Sequence, residues 1–288
     1  MTLRQRLTKK EILIAPGVFD ALSATIAAQC GFETLYLSGA AVAYTRLGQP
    51  DFGLTTATEM AETLALISDK TSLPVIVDAD TGFGNPLNAR RTMLNYERAG
   101  AAALQVEDQI FPKKCGHLSN KSLISPGEMV AKISSMVDAR SKDTLVIART
   151  DAIAVEGLTA ALDRATLYLE AGADVIFVEA PNTKEQLNTI TKRLGGRAPL
   201  VANVVEGGRT PEFSSDELEE MGFDIVIFPG GIVRALAKTA REYYVTLSRT
   251  GSTQAYKDRM YNFTELNDII GLQEMLALDE KFKDIPGD

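Results

Sequence analysis

The chain is poor in cysteine, histidine and tryptophan, with two, one and none among 288 residues. Two cysteines, Cys30 and Cys115, cannot build a disulfide framework, so a reducing, cytoplasmic home is expected. The single histidine, His117, leaves no set of ligands for structural zinc. The absence of tryptophan excludes nothing. Positive charge is also scarce. The 30 Lys and Arg stand against 38 Asp and Glu, a formal net charge of -8. That balance argues against nucleic acid and anionic membrane as partners, because both demand a basic face. No run approaches 18 consecutive apolar residues, so no membrane-spanning helix is expected. Met1 to Glu11 is polar and basic without an apolar core, so no secretory signal is expected either. What the chain does have is apolar material, 45% of its residues. That is enough for a sizeable core, and the length suits one domain of barrel size.

A repeated punctuation points to the fold. Gln29-Cys30-Gly31-Phe32, Arg98-Ala99-Gly100-Ala101, Glu170-Ala171-Gly172-Ala173 and Glu220-Met221-Gly222-Phe223 each close an amphipathic stretch and precede a short apolar run. Glycine accepts the left-handed conformation that ends a helix, so these are helix-to-strand joints. Strands are predicted at Ile12 to Ala15, Thr34 to Leu37, Val75 to Val77, Ala102 to Val106, Leu145 to Ala148, Val175 to Val178, Leu200 to Ala202 and Ile225 to Phe228. They are continuous apolar runs, as parallel strands covered on both faces are. Helical periodicity separates them, for example Leu158, Ala161, Leu162, Ala165 and Leu169. Eight strand–helix repeats predict an α/β fold, a (β/α)8 TIM barrel, with a doubly wound open sheet as the competitor. Residues 1–288 read as one domain, with 231–288 as a C-terminal helical extension. Helix is expected from Asn262 to Phe282, and its apolar residues should pack on the barrel or on a neighbouring subunit. Cys30 is expected to be a small buried residue closing a helix.

In such a barrel the chemistry lies at the C-terminal ends of the strands. Those ends carry Ser38-Gly39-Ala40, Asp78-Ala79-Asp80, Glu107-Asp108, Arg149-Thr150-Asp151, Glu179, Asn203 and Phe228-Pro229. Asp78 and Asp80 sit one pleat apart and should point the same way. With Glu107 nearby they form a hard oxygen cluster suited to Mg²⁺. The alternative is that these acids cap helices or pair with Arg90 and Arg91. Arg149 ends an apolar strand, where its planar cation could grip a carboxylate or a developing oxyanion, or form an ion pair with Glu107 or Glu179. Cys115 follows Lys113 and Lys114 and precedes His117 in a loop. Nearby positive charge makes such a thiol usable as a proton donor or nucleophile. Thr81 to Asn85 is neither a phosphate loop nor a dinucleotide fingerprint. Glu206 to Pro211 reads as a mobile loop or a turn.

These residues in this order resemble the isocitrate lyase/phosphoenolpyruvate mutase superfamily. The matching pieces are Tyr36-Leu37-Ser38-Gly39, Pro50-Asp51, Val77 to Gly84, Glu107-Asp108-Gln109, Lys113-Lys114-Cys115-Gly116-His117, Ala148 to Asp151, Val178-Glu179-Ala180 and Asn203. The Cys-Gly-His segment resembles the carbon–carbon lyase branch. The resemblance implies a Mg²⁺ cofactor, with Mn²⁺ as a substitute. It implies that Asp80 lies closest to the metal and that Asp51, Asp78 and Glu107 hold its waters. Ser38, Gly39 and Ala40 would bind the carboxylate of an α-keto acid, with Tyr36 beside it. Glu179 and Asn203 would hold a second carboxylate, with Gly116 a further substrate contact. Arg149 would contact the reacting oxygens, and Cys115, tuned by His117, would protonate carbon. The implied reaction cleaves the C2–C3 bond of a 2-hydroxy di- or tricarboxylate of the 2,3-dimethylmalate or 2-methylisocitrate type. Its products are an α-keto acid such as pyruvate and a carboxylic acid. Pro229, where hydrolases of the family commonly carry serine, and Leu118, where an arginine typical of methylisocitrate cleavage is missing, favour the substituted malate. Hydrolysis of oxaloacetate, phosphonomutase chemistry and a barrel that only binds dicarboxylates are the alternatives. The resemblance also implies a homotetramer with the eighth helix exchanged between subunits.

Overall fold

Eight short strands close on themselves in chain order. The computed structural model describes residues 1–116, 120–208 and 210–283. The strands are β1 Leu13–Val18, β2 Leu35–Leu37, β3 Val75–Asp78 and β4 Ala101–Glu107, then β5 Leu145–Thr150, β6 Val175–Val178, β7 Leu200–Asn203 and β8 Ile225–Phe228. They form a closed barrel in the order β1 to β8. Every neighbouring pair is parallel, including β8 with β1. The TIM barrel is therefore the fold, and the open sheet is not. The four predicted joints all hold glycine at positive φ: 86° at Gly31, 105° at Gly100, 101° at Gly172 and 95° at Gly222. An L side chain would be strained at each.

Strand ends differ from the expected ones for a physical reason. β1 runs on through Pro16, which pairs with Phe228. Proline suggests a stop in the sequence, but it is compatible with a strand where its missing N–H is not needed by the ladder. β4 and β5 continue into Glu107 and Arg149, whose side chains are polar but buried.

Two layers of core follow from the period of two along each strand. Inside the barrel lie Leu13, Ala15, Tyr36, Ile76, Ala103, Leu145, Ile147, Val175, Phe177, Val201, Ile225 and Ile227. Leu3, 2% exposed, joins this cluster from the short helix Leu3–Arg6. The outward-facing residues, such as Val77, Leu104, Val146 and Ile176, meet Met60, Met93, Ile133 and Ala165 of the surrounding helices. Helix starts are fixed by side-chain caps: Thr56 with Glu59 and Ser214 with Glu217 form reciprocal capping boxes.

The chain divides into two compact units, Met1–Val233 and Arg234–Asp288. In the second, the expected helix from Asn262 to Phe282 is two helices, Phe263–Ile269 and Leu272–Lys283, neither with a buried residue. Gly271, at φ 87°, separates them. Cys30 corrects a further expectation. It caps the helix Ala21–Gln29 and is exposed, not buried, because the helix buries only Ala24 and its end, Gln29 to Gly31, is exposed.

Candidate active site

The inward rows of β3 to β7 each end in a polar residue at the same rim. Ile76 is followed by Asp78 on β3, and Ala103 by Gln105 and Glu107 on β4. Ile147 is followed by Arg149 on β5, Phe177 by Glu179 after β6, and Val201 by Asn203 on β7. The barrel thus carries its own apolar floor beneath a polar mouth. Phe177 marks the boundary, with the Arg149 guanidinium 5.3 Å from its ring centre.

At this rim Tyr36, Ser38, Ala40, Asp51, Asp78, Cys115, Gly116, Arg149, Glu179 and Asn203 border one cleft of about 400 Å³, open mouth included. Gly39, Asp80 and Glu107 do not border it, but each touches a residue that does. A Cβ on Gly39 would stand 3.0 Å from Asp78 Oδ2 and 3.4 Å from Asp80 Oδ1. The Asp80 N–H donates to Asp78 Oδ1 at 3.1 Å. Glu107 Oε2 lies 3.2 Å from Arg149 Nη1. His117 falls outside the described residues.

Asp78 and Asp80 do come together, but not by sharing a strand face as their spacing suggested. β3 ends at Asp78, and Asp80 turns into the left-handed region at φ 46°. Aspartate tolerates that conformation better than most residues, yet strain of this kind persists only where the surroundings impose it. Lys113 is the other surprise. Its ammonium is buried 2.7 Å from Asp51 Oδ1 and 2.9 Å from Asp80 Oδ1. Arg90 pairs with Asp138, so it does not neutralise these acids.

Three carboxylates therefore face one ammonium. Burial pushes Asp80 up to about 7 against the pull of Lys113, and the negative charges of Asp78 and Asp51 push the same way. Glu107 is raised well above the ordinary range, by burial first. Both of its oxygens accept no hydrogen bond from the described residues. Among the described residues no three such groups form a ready-made metal cage. Mg²⁺ does not need one, since it keeps several waters and takes one or two carboxylates. The donor set is all oxygen, and its negative charge exceeds its positive charge. It fits a hard divalent ion.

The opposite wall is built around Arg149. Asp151 clamps it from below, with Arg149 Nε donating to Oδ2 at 2.9 Å and Nη2 to Oδ1 at 3.0 Å. Burial acts to push Asp151 up, but Arg149 and Lys121 outweigh it and bring its carboxyl to about 2. Asn203 Nδ2 donates to both Glu179 oxygens at 3.3 Å. Tyr36 donates to Gln105 Oε1 at 3.1 Å. Burial, helped by Asp78, holds its hydroxyl far above the usual phenol range, so it stays neutral. Ser38 Oγ accepts from Ala41 N at 3.2 Å, capping the short helix Gly39–Val42 and leaving its O–H to donate. Cys115 is half-buried at the cleft, in no disulfide. Gln109 anchors the segment before it, donating to Lys114 O at 2.8 Å and accepting from Lys114 N at 3.1 Å.

Sequence reasoning missed Gln105 and Lys121 as parts of this site, named Asp151 at the rim without a role, and did not foresee the carboxylate partners of Lys113. Gln105 and Asp151 were legible in principle, since each lies two residues from an inward-facing neighbour. The lysines carried no such signal. Their partners lie 62 and 30 positions away.

Comparison with known proteins agrees with this geometry. The phosphoenolpyruvate phosphomutase family model matches residues 3–247. A 2-methylisocitrate lyase of Aeropyrum pernix is 46% identical over 274 residues, covering 95% of this chain and 88% of that protein. The crystal structure of 2,3-dimethylmalate lyase, a PEP mutase/isocitrate lyase superfamily member, superposes with a TM-score of 0.92. It is 37% identical and the match covers 99% of this chain and 96% of that one. Oxaloacetate acetylhydrolase in complex with the inhibitor 3,3-difluorooxalacetate gives a TM-score of 0.93 at 34% identity, covering 97% and 96%. Barrel, cleft and sequence likeness lead to one conclusion: the chain belongs to the PEP mutase/isocitrate lyase superfamily.

Proposed function

We propose that this enzyme is a Mg²⁺-dependent carbon–carbon lyase. It splits the C2–C3 bond of a 2-hydroxy di- or tricarboxylate into an α-keto acid, such as pyruvate, and a carboxylic acid. The observation that carries the reading is the meeting of Cys115, Arg149, Asp78 and Ser38 in one cleft. A thiol, a fixed cation, a metal-type acid and a carboxylate-binding hydroxyl are the groups such a cleavage requires.

Asp80 would hold the ion most closely, with Asp51, Asp78 and Glu107 holding its waters; Asp51 and Asp78 border the cleft directly. When bound, Mg²⁺ supplies Lewis-acid polarisation of the substrate's hydroxyl and carboxylate oxygens. The Ser38 hydroxyl and the N–H groups of Gly39 and Ala40 seat that carboxylate. Arg149, already oriented by Asp151 and Glu107, stabilises negative charge on the hydroxyl oxygen as its proton leaves. The oxygen electron pair forms the keto group, and the C2–C3 pair departs with the other fragment as a carboxylate enolate. The hydroxyl proton passes to solvent, Cys115 gives its S–H proton to the enolate carbon, and solvent returns a proton to the thiolate. Glu179, held by Asn203, orients the second carboxylate through its own hydrogen-bonded partner. His117 is assigned to tuning the thiol. The net change moves one proton from oxygen to carbon.

Pro229 borders the cleft and offers no hydroxyl, which supports cleavage over hydrolysis of oxaloacetate. The exposed apolar side chains Leu236, Tyr244, Met260, Tyr261 and Phe263 support a homotetramer, in which a second copy covers them. No helix among the described residues is long and apolar enough to cross a membrane. A thiol acid agrees with a reducing, cytoplasmic setting. The test is a panel of 2-hydroxy di- and tricarboxylates with Mg²⁺, scored for pyruvate, glyoxylate and oxalate. Pyruvate from a substituted malate or methylisocitrate is expected. No keto acid from any of them refutes the reading, and acetate plus oxalate from oxaloacetate replaces it with hydrolysis.

A further inference from the structure

Lys121 is a buried charge with no part in the proposed cleavage. Its side chain is 1% exposed, and Asp151 beneath it is fully buried. Its ammonium makes two short contacts, donating to Asp151 Oδ1 at 2.7 Å and to the Gly116 carbonyl at 2.6 Å. The first is to the same oxygen that receives Arg149 Nη2. The second is to the carbonyl of the residue that follows Cys115. Taking an ammonium out of water costs several kcal/mol, and burying an ion pair is weak support for stability as such. A buried lysine joining these two groups calls for another reason.

The loop between β4 and the helix Pro126–Ala139 gives one. Its base is already closed without Lys121: Ile124 N donates to Asp108 O at 3.0 Å, and Ile110 N to Ser122 O at 2.8 Å. Lys121 adds nothing to that closure. It reaches inward from the returning arm and takes hold of the outgoing arm at Gly116. Gly116 has no room to spare, because a Cβ there would overlap Glu179 Oε1 and Arg149 Nη2. The depth of this peptide in the cleft therefore sets the gap between the thiol and the guanidinium.

We infer that Lys121 is a positioning residue: bridging the Gly116 carbonyl and the Asp151 carboxylate, it fixes Cys115 at a set distance from Arg149. The inference rests on the proposed cleavage, in which Arg149 acts on oxygen and Cys115 on carbon. The two reacting centres, the oxygen on C2 and the carbon C3, are separated by C2 alone, so the acid and the cation must hold one spacing within a fraction of an ångström. An error of about 1 Å costs on the order of 10²-fold in rate.

Two variants and two readouts test it. Lys121→Met keeps the stem and removes both donors. Its kcat should fall on the order of 10²-fold with KM nearly unchanged. Lys121→Ala should lose as much, and added ethylammonium should restore part of its kcat while leaving Lys121→Met unaffected. The second readout needs no substrate. In a Cys30→Ser background, alkylation of Cys115 by iodoacetamide, followed by peptide mass mapping, should accelerate several-fold in Lys121→Met. It reports on Lys121 even if the substrate panel yields no keto acid, so the two readings fail separately. Should Lys121→Met not fold, Lys121→Gln carries the same measurements. Wild-type kcat and wild-type alkylation in the folded variant overturn the inference. So does lost turnover with unchanged alkylation and no response to ethylammonium.

Discussion

Replacing Asp151 by asparagine isolates the charge that holds one wall of the cleft. Asp151 lies between two buried cations, accepting from Arg149 at 2.9 and 3.0 Å and from Lys121 at 2.7 Å. Asparagine keeps the shape, removes the charge and turns one acceptor into a donor facing other donors. Two routes give the magnitude. A carboxyl that falls from 3.8 to about 2 on folding contributes roughly 2 kcal/mol at neutral pH, at about 1.4 kcal/mol per pH unit. Removing one partner of a buried pair costs about 3–5 kcal/mol. A loss of about 3 kcal/mol is expected, or about 6 °C in Tm for a chain of this length. The pH dependence has a definite sign. The folded carboxyl binds its proton less readily than the unfolded one. Its stabilisation is complete above about pH 4 and is lost as pH falls through about 2. Thermal melts by circular dichroism at pH 7 and pH 3 should therefore show the gap between wild type and Asp151→Asn narrowing by about 1 kcal/mol in acid. Equal melting temperatures at pH 7, or a gap that widens on acidification, would refute the reasoning.

Other perturbations separate chemistry from architecture. Cys115→Ser should lower kcat by about 10²-fold or more while substrate still protects the cleft from proteolysis; wild-type turnover would remove the thiol as proton donor. Gly116→Ala would push a methyl group against Glu179 and Arg149, so turnover should collapse with the circular dichroism spectrum intact. Chelation with EDTA should abolish activity and lower Tm, and Mg²⁺ or Mn²⁺ should restore both; activity unaffected by chelation would dismiss the metal. Leu3→Ala, at the barrel floor, should cost about 2–5 kcal/mol in urea unfolding without changing kcat, since Leu3 is 2% exposed and belongs to the interior cluster.

The sequence alone determined the repeat. Apolar runs punctuated by Gly31, Gly100, Gly172 and Gly222 specify strand, helix and joint, because local backbone conformation is a local property. It also marked the rim residues, since a polar residue ending a buried strand has few places to go. Only the tertiary structure decided who pairs with whom there. Closing the barrel delivers Lys113 to Asp51 and Asp80, turns Asp80 left-handed beside Asp78, and seats Lys121 between Gly116 and Asp151. Lys113 and Asp51 are 62 positions apart, and Lys121 and Asp151 are 30 apart, and electrostatic pairing follows distance in space. Cys30 makes the same point from the other side: its place at a helix end was readable, while its exposure depended on which way that helix packs.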